Sequence, residues 1–311
     1  MSTALVTGAA GFVGSHFTAH LREQGWKVNA IDIREGPHTA IQDAREFFQW
    51  ESGLVTYDLV LHCAAVVGGR QVIDNDPLAQ AVNLELDAAL FRWALRTRPA
   101  RVVYFSSSAA YPVNLQTLAL RRPLAESDIR FGDSAGMPDQ LYGWSKLTGE
   151  YLARKAREYG LSVSVVRPFS GYGEDQDDCY PFPAFTDRAL RREDPFLVWG
   201  SGDQVRDFIH IDDIVSAVMK MYERDVNGPV NLGTGRPYSV RQLAQMVCEQ
   251  AGYSPEFEFA RQAPSGVGYR VAGIGGAGGM CSFYSPRVTL EQGIRRALEY
   301  RAQLARLPSR G

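Results

Sequence analysis

The sequence predicts an α/β protein with a doubly wound parallel sheet and a smaller C-terminal region. Short apolar runs rich in β-branched residues alternate with longer amphipathic stretches through the first half of the chain. Continuous apolar strands are typical of parallel sheets, which right-handed crossover helices bury on both faces. The 311 residues suffice for one compact unit of one or two tightly joined domains.

The predicted elements follow one another in a βαβ succession. Strands are predicted, in chain order, at TALVT, VNAID, DLVLHC, RVVYF and LSVSVV. Amphipathic helices are predicted between them over 12–24, about 77–97 and about 140–159.

The second half of the chain has a different character. It contains Pro-rich turns at 181–183, an isolated strand–helix unit at 207–224, and a helix over 239–252 that Ser239 opens as its N-cap. Residues 273–279 contain five glycines. Because each glycine would cost a packed helix roughly 1 kcal/mol relative to alanine, an irregular, mobile loop is predicted there.

Composition excludes several classes of protein. With 45% hydrophobic residues, 22% charged residues and a net charge of -2, the chain is globular and has no basic excess that would attract nucleic acid. Its longest apolar stretch, over 59–67, is interrupted by His62 and is far shorter than the roughly 20 residues that span a bilayer. The N-terminus lacks the features of a signal peptide. We therefore expect a cytoplasmic protein that binds neither nucleic acid nor a membrane.

The cysteines and histidines do not form a metal-binding pattern. The four cysteines contain no CxxC pair, so we expect them to be reduced and structural. His16 and His20 stand four residues apart, but Phe17 occupies the glutamate position of a zinc hydrolase motif. Cys63 lies beside two alanines at a buried strand end, which favours packing over a nucleophilic role. No metal is expected.

Three glycines form a dinucleotide-binding signal. Gly8, Gly11 and Gly14 directly follow the first strand and open the first helix. The first two let the turn and the helix N-terminus approach a pyrophosphate, and the third lets helix and strand pack closely. The second strand ends at Asp32, where a carboxylate can accept hydrogen bonds from both ribose hydroxyls. This context predicts a Rossmann-type site that favours NAD, although Arg34 could pair with the 2'-phosphate of NADP.

A tyrosine and a lysine form the second chemical motif. Tyr142 and Lys146 stand four residues apart, on one face of the helix that starts near Asp139. The cation stabilises a phenolate, so the tyrosine can serve as acid or base. The serines at 106–108 directly follow the strand RVVYF, at the carboxyl end where parallel sheets bind ligands. A hydroxyl there can bind a reacting oxygen.

In combination, these motifs resemble the extended short-chain dehydrogenase/reductase family, in particular its nucleotide-sugar epimerases and dehydratases. The matching segments cover nearly the whole chain: TGAAGFVGS, Asp32, LHCAA at 61–65, Asn83, SSSAAYP, YGWSK, RPFSGYG at 167–173, WGSGDQVRDFIHIDD at 199–213, and NLGTG at 231–235. The resemblance implies an NAD-binding Rossmann domain over 1–166 plus about 207–230. It implies a substrate-binding domain over about 167–206 and 231–311.

The resemblance also implies catalytic roles. The catalytic hydroxyl of that family lies four residues before a turn tyrosine, here Tyr111, which indicates Ser107 and makes Ser108 the second choice. Tyr142 would remove the proton of a sugar hydroxyl while the C4 hydride passes to the nicotinamide. Lys146 would support the tyrosine and hold the nicotinamide ribose.

Binding roles follow from the same resemblance. Asn83 would support the active-site backbone, and Arg206 would grip the diphosphate of a nucleotide sugar. A surface ion pair with Asp203 or Asp207 is the alternative for that arginine. The expected cofactor residues are Gly8, Gly11, Phe12, Val13, Gly14, Asp32, Ala64, Ala65, Asn83, Tyr142 and Lys146; the expected substrate residues are Ser108, Ser170 and Arg206.

Position 109 distinguishes the reactions within the family. The dehydratases carry an Asp-Glu pair at 108 and 109, and the glucuronate decarboxylases a glutamate at 109. The GDP-mannose 3,5-epimerases, which the VGG at 67–69 resembles, carry a cysteine there. Ala109 replaces all of these. What remains is NAD-dependent 4-epimerisation through a transient 4-keto sugar. Reduction of a 4-keto sugar is the alternative, and a 3,5-epimerase or a non-catalytic NAD-binding protein is less favoured.

Several positions depart from the family pattern and leave the sugar and the nucleotide open. Ser170 replaces an asparagine, and Tyr180 replaces a histidine of the fucose synthases. The acidic residue of the adenine site is sought around Trp50 and Glu51. The guanidiniums of two further arginines either contact phosphates or lie on a solvated strand; they are Arg261 and Arg270. The resemblance implies a homodimer through the helices over 77–97 and 140–159.

Overall fold

The computed structural model describes residues 1–67, 78, 81–132, 136–263, 266–276 and 279–306. Its strands are β1 (Thr3–Thr7), β2 (Lys27–Asp32), β3 (Ala40–Ile41), β4 (Leu59–His62), β5 (Val102–Phe105), β6 (Val163–Pro168), β7 (Ser170–Tyr172), β8 (Phe196–Trp199), β9 (Val205–Arg206), β10 (Phe208–His210), β11 (Pro229–Leu232), β12 (Tyr238–Ser239), β13 (Phe257–Ala260) and β14 (Tyr269–Arg270). Its α-helices are α1 (Phe12–Glu23), α2 (Ala44–Trp50), α3 (Ala81–Thr97), α4 (Gln140–Glu158), α5 (Pro181–Leu190), α6 (Ile211–Glu223), α7 (Val240–Gln250) and α8 (Leu290–Arg306).

Seven of these strands form a parallel sheet, which confirms the predicted Rossmann-like α/β fold. Their order is β11-β6-β5-β4-β1-β2-β3, and every neighbouring pair is parallel. The order reverses between β1 and β4, where Thr7 pairs with His62. Ligands of doubly wound sheets bind at such a switch point, beyond the carboxyl ends of the strands.

Helices bury both faces of this sheet, as its apolar strands predict. One core contains side chains of α1 and α6, and the other contains side chains of α2, α3 and α4. Successive residues of a strand point to opposite faces, so Val6 belongs to the first core and Leu5 to the second.

The smaller region has a core of its own. Helices α5, α7 and α8 surround it, together with strands of small two- and three-stranded sheets. Ser239 accepts a hydrogen bond from the Gln242 N–H, and the Gln242 side chain accepts one from the Ser239 N–H. This capping box confirms the predicted start of the helix. The functional division of the chain into two domains stays a prediction.

Two local features of the structure differ from what the sequence predicts. The Pro-rich segment 181–183 is the first turn of α5 and not a turn between elements. Proline fits there, because the first helical N–H groups have no partner within the helix. Strand β3 and helix α2 were not predicted; Asp43 caps that helix by accepting from the Arg45 N–H. The described residues of 273–279 lie outside helices and strands, as expected of an irregular segment, and a short 3-10 turn begins at Met280.

Candidate active site

The glycine turn between β1 and α1 is shaped by close backbone approaches. Gly8 has a φ of 70°, and a Cβ on it would lie 2.6 Å from the backbone nitrogen of Ala64. A Cβ on Gly14 would collide with the carbonyl oxygen of Gly8. Gly11 is the N-cap of α1 and provides no side-chain cap, so the first N–H groups of the helix remain available to an anion. Phe12 and Val13 form the start of that helix.

Asp32 ends β2 beside this turn. Its carboxylate is 8% exposed and accepts hydrogen bonds from the N–H of Ala10 at 3.0 Å and of Arg34 at 2.9 Å. These two bonds fix its orientation while leaving lone pairs for further donors. The Arg34 guanidinium lies nearby, with Nε 3.7 Å from Asp32 and Nη2 within van der Waals reach of a Cβ on Gly11. The carboxylate that favours NAD and the guanidinium that could bind NADP therefore lie side by side.

The loop after β4 completes this side of the site. The N–H of Cys63 donates to the Thr7 carbonyl at 3.1 Å, and the N–H of Ala64 donates to Thr7 Oγ1 at 3.3 Å. Asn83 accepts from the Val66 N–H at 2.7 Å and donates to the Val66 carbonyl at 3.0 Å. The asparagine therefore fixes the backbone that follows Ala64 and Ala65. Burial raises the pKa of the Cys63 thiol well above its usual range, which disfavours a nucleophilic thiolate.

Tyr142 and Lys146 lie on the first turns of α4. The Lys146 nitrogen is 5.9 Å from the centroid of the Tyr142 ring and 5.4 Å from that of Tyr104 on β5. Lys146 is buried, while Tyr142 is half-buried. The Lys146 ammonium thus lies near the Tyr142 ring, as predicted, and it also lies over the ring of Tyr104.

The serine run after β5 meets the start of α4. Ser107 is half-buried and caps a short 3-10 turn over 108–110, accepting from the Ala109 N–H at 3.1 Å. Ser108 is buried. Ser106 donates to Glu150 at 2.5 Å and is committed to a buried network. Of the three serines, Ser107 is the one whose side chain is partly accessible.

A buried arginine network supports this strand end and was not predicted. Arg167 is 1% exposed and forms two hydrogen bonds with Glu150, at 2.6 and 2.8 Å. It also donates to the Tyr111 hydroxyl at 2.9 Å, which in turn donates to Asn231 at 2.7 Å. Burial, offset by the nearby arginine, raises the pKa of Tyr111 to about 12. The turn tyrosine is therefore a structural anchor.

The expected substrate residues lie in the smaller strands. Ser170 is half-buried in β7 and pairs in register with Phe208 of β10. Arg206 is half-buried in β9, where its Nη1 donates to the Val205 carbonyl at 2.8 Å. The carboxylate of Asp207 accepts from the N–H and the hydroxyl of Thr234 at 2.8 and 2.6 Å. The Asp207 carboxylate is thus bound by hydrogen bonds from the NLGTG segment.

The two further arginines have different surroundings. Arg261 is exposed. Arg270 is half-buried and donates to Gln116 at 2.5 Å and to Asp139 at 2.7 Å. Since Asp139 is the N-cap position of α4, this ion pair connects the small sheet to the start of the tyrosine–lysine helix. The sequence predicted either a phosphate contact or a solvated strand position for Arg270, and neither prediction included this ion pair.

Tyr180 is a neighbour of Tyr142, although the two residues are distant in the chain. Burial, followed by the neighbouring phenol of Tyr142, raises the pKa of the Tyr180 phenol well above its usual range. Tyr180 is also the N-cap residue of α5. The expected adenine residues Trp50 and Glu51 lie at the C-terminal end of α2, where Trp50 is 76% exposed.

The remaining residues of interest do not gather into a metal centre. His16 Nε2 lies 3.0 Å from Asp175. Burial alone would lower the pKa of His16, but the hydrogen bond and charge of Asp175 raise it above 6.5. Within the described ranges, no three His, Cys, Asp or Glu side chains are grouped as metal ligands. No helix among the described residues is long and apolar enough to cross a bilayer.

Comparison with known proteins places this geometry in a family. Residues 4–233 match the model of the NAD dependent epimerase/dehydratase family. A dTDP-4-dehydro-6-deoxy-D-allose reductase from a Streptomyces species is 30% identical over 293 residues, which cover 86% of this chain and 87% of that protein.

Solved structures agree with this match. The UDP-glucose 4-epimerase of Thermotoga maritima, solved with UDP-glucose, superposes with a TM-score of 0.82 at 28% identity, covering 97% of this chain and 99% of that one. MoeE5, solved with UDP-glucose and NAD, has a TM-score of 0.82 at 27% identity, covering 98% of this chain and all (100%) of that one. The resemblance inferred from the motifs is confirmed: the chain is a member of the NAD dependent epimerase/dehydratase family, with NAD as its cofactor.

Proposed function

We propose that this protein is an NAD-dependent nucleotide-sugar 4-epimerase that acts through a transient 4-keto sugar. The observation that carries the proposal is the packing of the tyrosine–lysine helix against the serine turn at the carboxyl end of the sheet. Tyr142 and Lys146 lie on α4, whose start packs against the turn that holds Ser107. The glycine turn and Asp32 provide the NAD cradle at the same end of the sheet.

The residues of the cradle fit a dinucleotide. Gly8 and Gly14 let the backbone of the turn pack closely, because a Cβ on either would collide with neighbouring backbone atoms, and the uncapped N-terminus of α1 suits a pyrophosphate. Asp32 is oriented to accept from ribose hydroxyls. When bound there, NAD supplies hydride acceptance at sugar C4 and the return of that hydride.

In the proposed mechanism, Tyr142 takes the proton of the C4 hydroxyl as the C4 hydride leaves, so that the sugar loses two electrons and two hydrogens. Lys146 stabilises the phenolate and holds the nicotinamide ribose, and Ser107 donates to the oxygen that becomes the ketone. The ketone turns over in the pocket. Tyr142 would then return the proton to the same oxygen, and bound NAD would supply the hydride to the opposite face of C4.

Ala109 supports this reaction over carbon-acid chemistry. It is buried between Ser108 and Ala110 in the 3-10 turn and offers no acid or base. A 3,5-epimerase needs such a group to remove protons from C3 and C5. Since the chain supplies only a methyl group at this position, hydride transfer at C4 is the favoured chemistry.

Reduction of a nucleotide 4-keto sugar is the second candidate, and two observations favour it. A Streptomyces relative at 30% identity is such a reductase by name. Arg34 lies beside Asp32, where a guanidinium can pair with the 2'-phosphate of NADP. Both reactions use the same Tyr142 proton transfer and differ in whether the hydride returns to the same sugar.

For the substrate, we propose a nucleotide-diphosphate sugar held by the smaller domain. Arg206 would contact the diphosphate, and Ser108 and Ser170 would contact the sugar. The proposed domains are 1–166 plus about 207–230 for NAD, and the remainder for the substrate. The solved relatives with UDP-glucose make that sugar the first one to test.

We also propose a homodimer through α3 and α4. These helices pack side by side, and their outer faces expose Leu84, Trp144 and Tyr151 by 38%, 42% and 43%. Light scattering after size-exclusion chromatography tests this, with Trp144→Glu expected to give monomers. A monomeric wild-type protein would contradict the dimer.

One experiment separates the candidate functions. Purified protein is incubated with UDP-, GDP-, dTDP- and ADP-sugars, with and without added reduced cofactor, and the products are resolved by chromatography and NMR. Interconversion of C4 epimers without added reductant is the expected result. Product that forms only in step with consumption of reduced cofactor would identify a reductase, and no product from any sugar would contradict both.

A further inference from the structure

A buried polar chain lies directly beneath Lys146 and is not part of the tyrosine–lysine–serine motif. Its members are Thr7 on β1, His62 on β4, Asp87 on α3 and Tyr104 on β5. None of the four is more than 1% exposed. Burying polar side chains this completely costs free energy unless the side chains are paired.

His62 and Tyr104 approach Asp87 from two sides, and Tyr104 forms a hydrogen bond with it. The Ala64 N–H donates to Thr7 Oγ1, whose hydroxyl lies 2.9 Å from His62 Nδ1. The other ring nitrogen, Nε2, lies 3.5 Å from Asp87 Oδ1 but forms no hydrogen bond with any described residue. From the other side, Tyr104 donates to Asp87 Oδ2 at 2.6 Å. A hydroxyl that donates to a carboxylate stabilises its negative charge.

Asp87 and Lys146 are buried side chains that contact the same tyrosine, Asp87 at its hydroxyl and Lys146 over its ring. The Lys146 nitrogen lies 5.4 Å from the Tyr104 ring centroid, within cation–π distance. Hydrogen bonding to a carboxylate makes the phenol ring more electron-rich, which strengthens its attraction for the ammonium. Among the described residues, no carboxylate oxygen is paired directly with Lys146, so Asp87 reaches the ammonium through Tyr104.

Glycine at position 149 makes this contact possible. Gly149 lies one turn after Lys146 on α4, and a Cβ there would lie 2.5 Å from Asp87 Oδ2 and would overlap the Tyr104 hydroxyl. Any side chain at 149 would therefore push the Tyr104–Asp87 pair away from the helix that carries Lys146.

The other titratable groups around the pair are already committed. Glu150 faces Tyr104 but is paired with Arg167 at 2.6 Å. Burial lowers the pKa of His62, which keeps its ring neutral. Burial raises the pKa of the Cys63 thiol, which is therefore neutral too. Tyr142 is a further ionisable neighbour of Tyr104, and it is the proposed acid–base group.

We propose that Asp87 is a positioning residue of the active site: acting through Tyr104, it is the buried counter-charge that holds the Lys146 ammonium beneath Tyr142. This inference rests on the proposed roles of Tyr142 and Lys146. It means that the active site needs a negative charge at position 87 of α3, although this residue touches neither the cofactor nor the sugar.

The test compares Asp87→Asn with a matched control. Asp213→Asn removes another carboxylate that is 1% exposed and accepts a tyrosine hydroxyl at 2.6 Å, from Tyr284 on the far face of the sheet. Loss of an anion favours deprotonation of its neighbours. The pH–rate profile of Asp87→Asn should therefore move to lower pH by about one unit, while that of Asp213→Asn should stay in place. Melting temperatures of both variants measure the loss of packing.

A second measurement requires no substrate. Tyrosinate absorbance is titrated, and the trace of the matching Tyr142→Phe variant is subtracted to isolate Tyr142. In the Asp87→Asn background, the midpoint of the Tyr142 signal should move to lower pH in parallel with the rate profile. An unmoved midpoint, with a fall in melting temperature like that of Asp213→Asn, would overturn the proposal and reduce Asp87 to a packing role.

The two measurements keep this inference separable from the proposed function. A shifted midpoint in a protein that turns over no sugar would support Asp87 and contradict the epimerase. Turnover with an unmoved midpoint would support the epimerase and overturn the role of Asp87. If Asp87→Asn does not fold, Tyr104→Phe removes the connecting hydroxyl, and a smaller shift in the same direction is expected. No shift in Tyr104→Phe would overturn the proposal.

Discussion

The carbonyl oxygen of Ala109 occupies the space that a side chain on Gly143 would need. A Cβ on Gly143 would overlap that oxygen, which also accepts the Asp139 N–H at 2.9 Å. The start of α4 is thus packed backbone to backbone against the turn that follows Ser107. The separation between the proposed catalytic serine and tyrosine depends on this contact.

Gly143→Ala should therefore reduce activity by misplacing the catalytic helix. The methyl group must displace the helix or the serine turn, and we expect a loss of at least about tenfold in kcat/KM, with about 1–3 kcal/mol of stability. Gly228→Ala is the matched control, because a Cβ there meets nothing within 4 Å. Kinetics and thermal unfolding of both variants measure the difference. Equal activities would mean that this packing does not position the site.

Tyr142→Phe should abolish turnover while leaving NAD bound. The ring remains and only the proton-transfer group is lost, so kcat should fall by about 10² to 10⁴. Tyr151→Phe, on the exposed face of the same helix, is the control. Binding of NAD is followed by calorimetry and turnover by NMR. Near wild-type turnover of Tyr142→Phe would remove Tyr142 from its proposed role.

Reaction in deuterated water should leave C3 and C5 of the product free of deuterium. Ala109 provides no base for those carbons, and the C4 hydride does not exchange with solvent. Mass spectrometry and proton NMR of the product measure incorporation. Deuterium at C3 or C5 would restore the 3,5-epimerase interpretation and would require a base elsewhere in the pocket.

The protein should bind NAD more tightly than NADP. The nearly buried Asp32 carboxylate repels a 2'-phosphate, and one unfavourable charge contact is worth roughly tenfold or more in affinity. Titration of both cofactors against the wild type and Arg34→Ala measures the balance. Tighter binding of NADP, lost in Arg34→Ala, would favour the reductase.

Glu174 should contribute a pH-dependent part of the stability. Burial would raise the pKa of Glu174, but the hydrogen bond from His210 and the charge of Arg296 lower it from 4.5 to about 2. The contribution is therefore complete above pH 4.5 and is lost as the pH falls towards 2. The difference in unfolding free energy between the wild type and Glu174→Gln should shrink over that window. A difference that stays constant with pH would contradict the lowered pKa.

The nucleotide-binding half was predictable because its signals are local in the chain. Gly8 and Gly14 reveal the turn, and Asp32 marks the end of β2, since backbone approach and strand length are properties of short segments. Ser239 likewise marked the start of its helix. The family could be inferred because such motifs recur at fixed places in the fold.

The missed features depend on residues that are distant in sequence or have two local meanings. Pro181 was interpreted as part of a turn, although proline also suits a first helical turn. The hydrogen bonds of Asp87 with Tyr104 and of Arg167 with Glu150 join different elements, so no spacing rule reveals them. Charged residues within otherwise apolar strands and helix faces were the available signal, because buried charges require partners.

The contact between Gly8 and Ala64 implies that the dinucleotide cradle needs more of the chain than its glycine motif. Its shape depends on β4 and the loop behind it, so a fragment that ends before residue 59 would contain the complete glycine motif and still lack the pocket. Grafting that motif alone onto another scaffold would fail for the same reason. A transplant would have to carry both neighbouring strands and the backbone that follows β4.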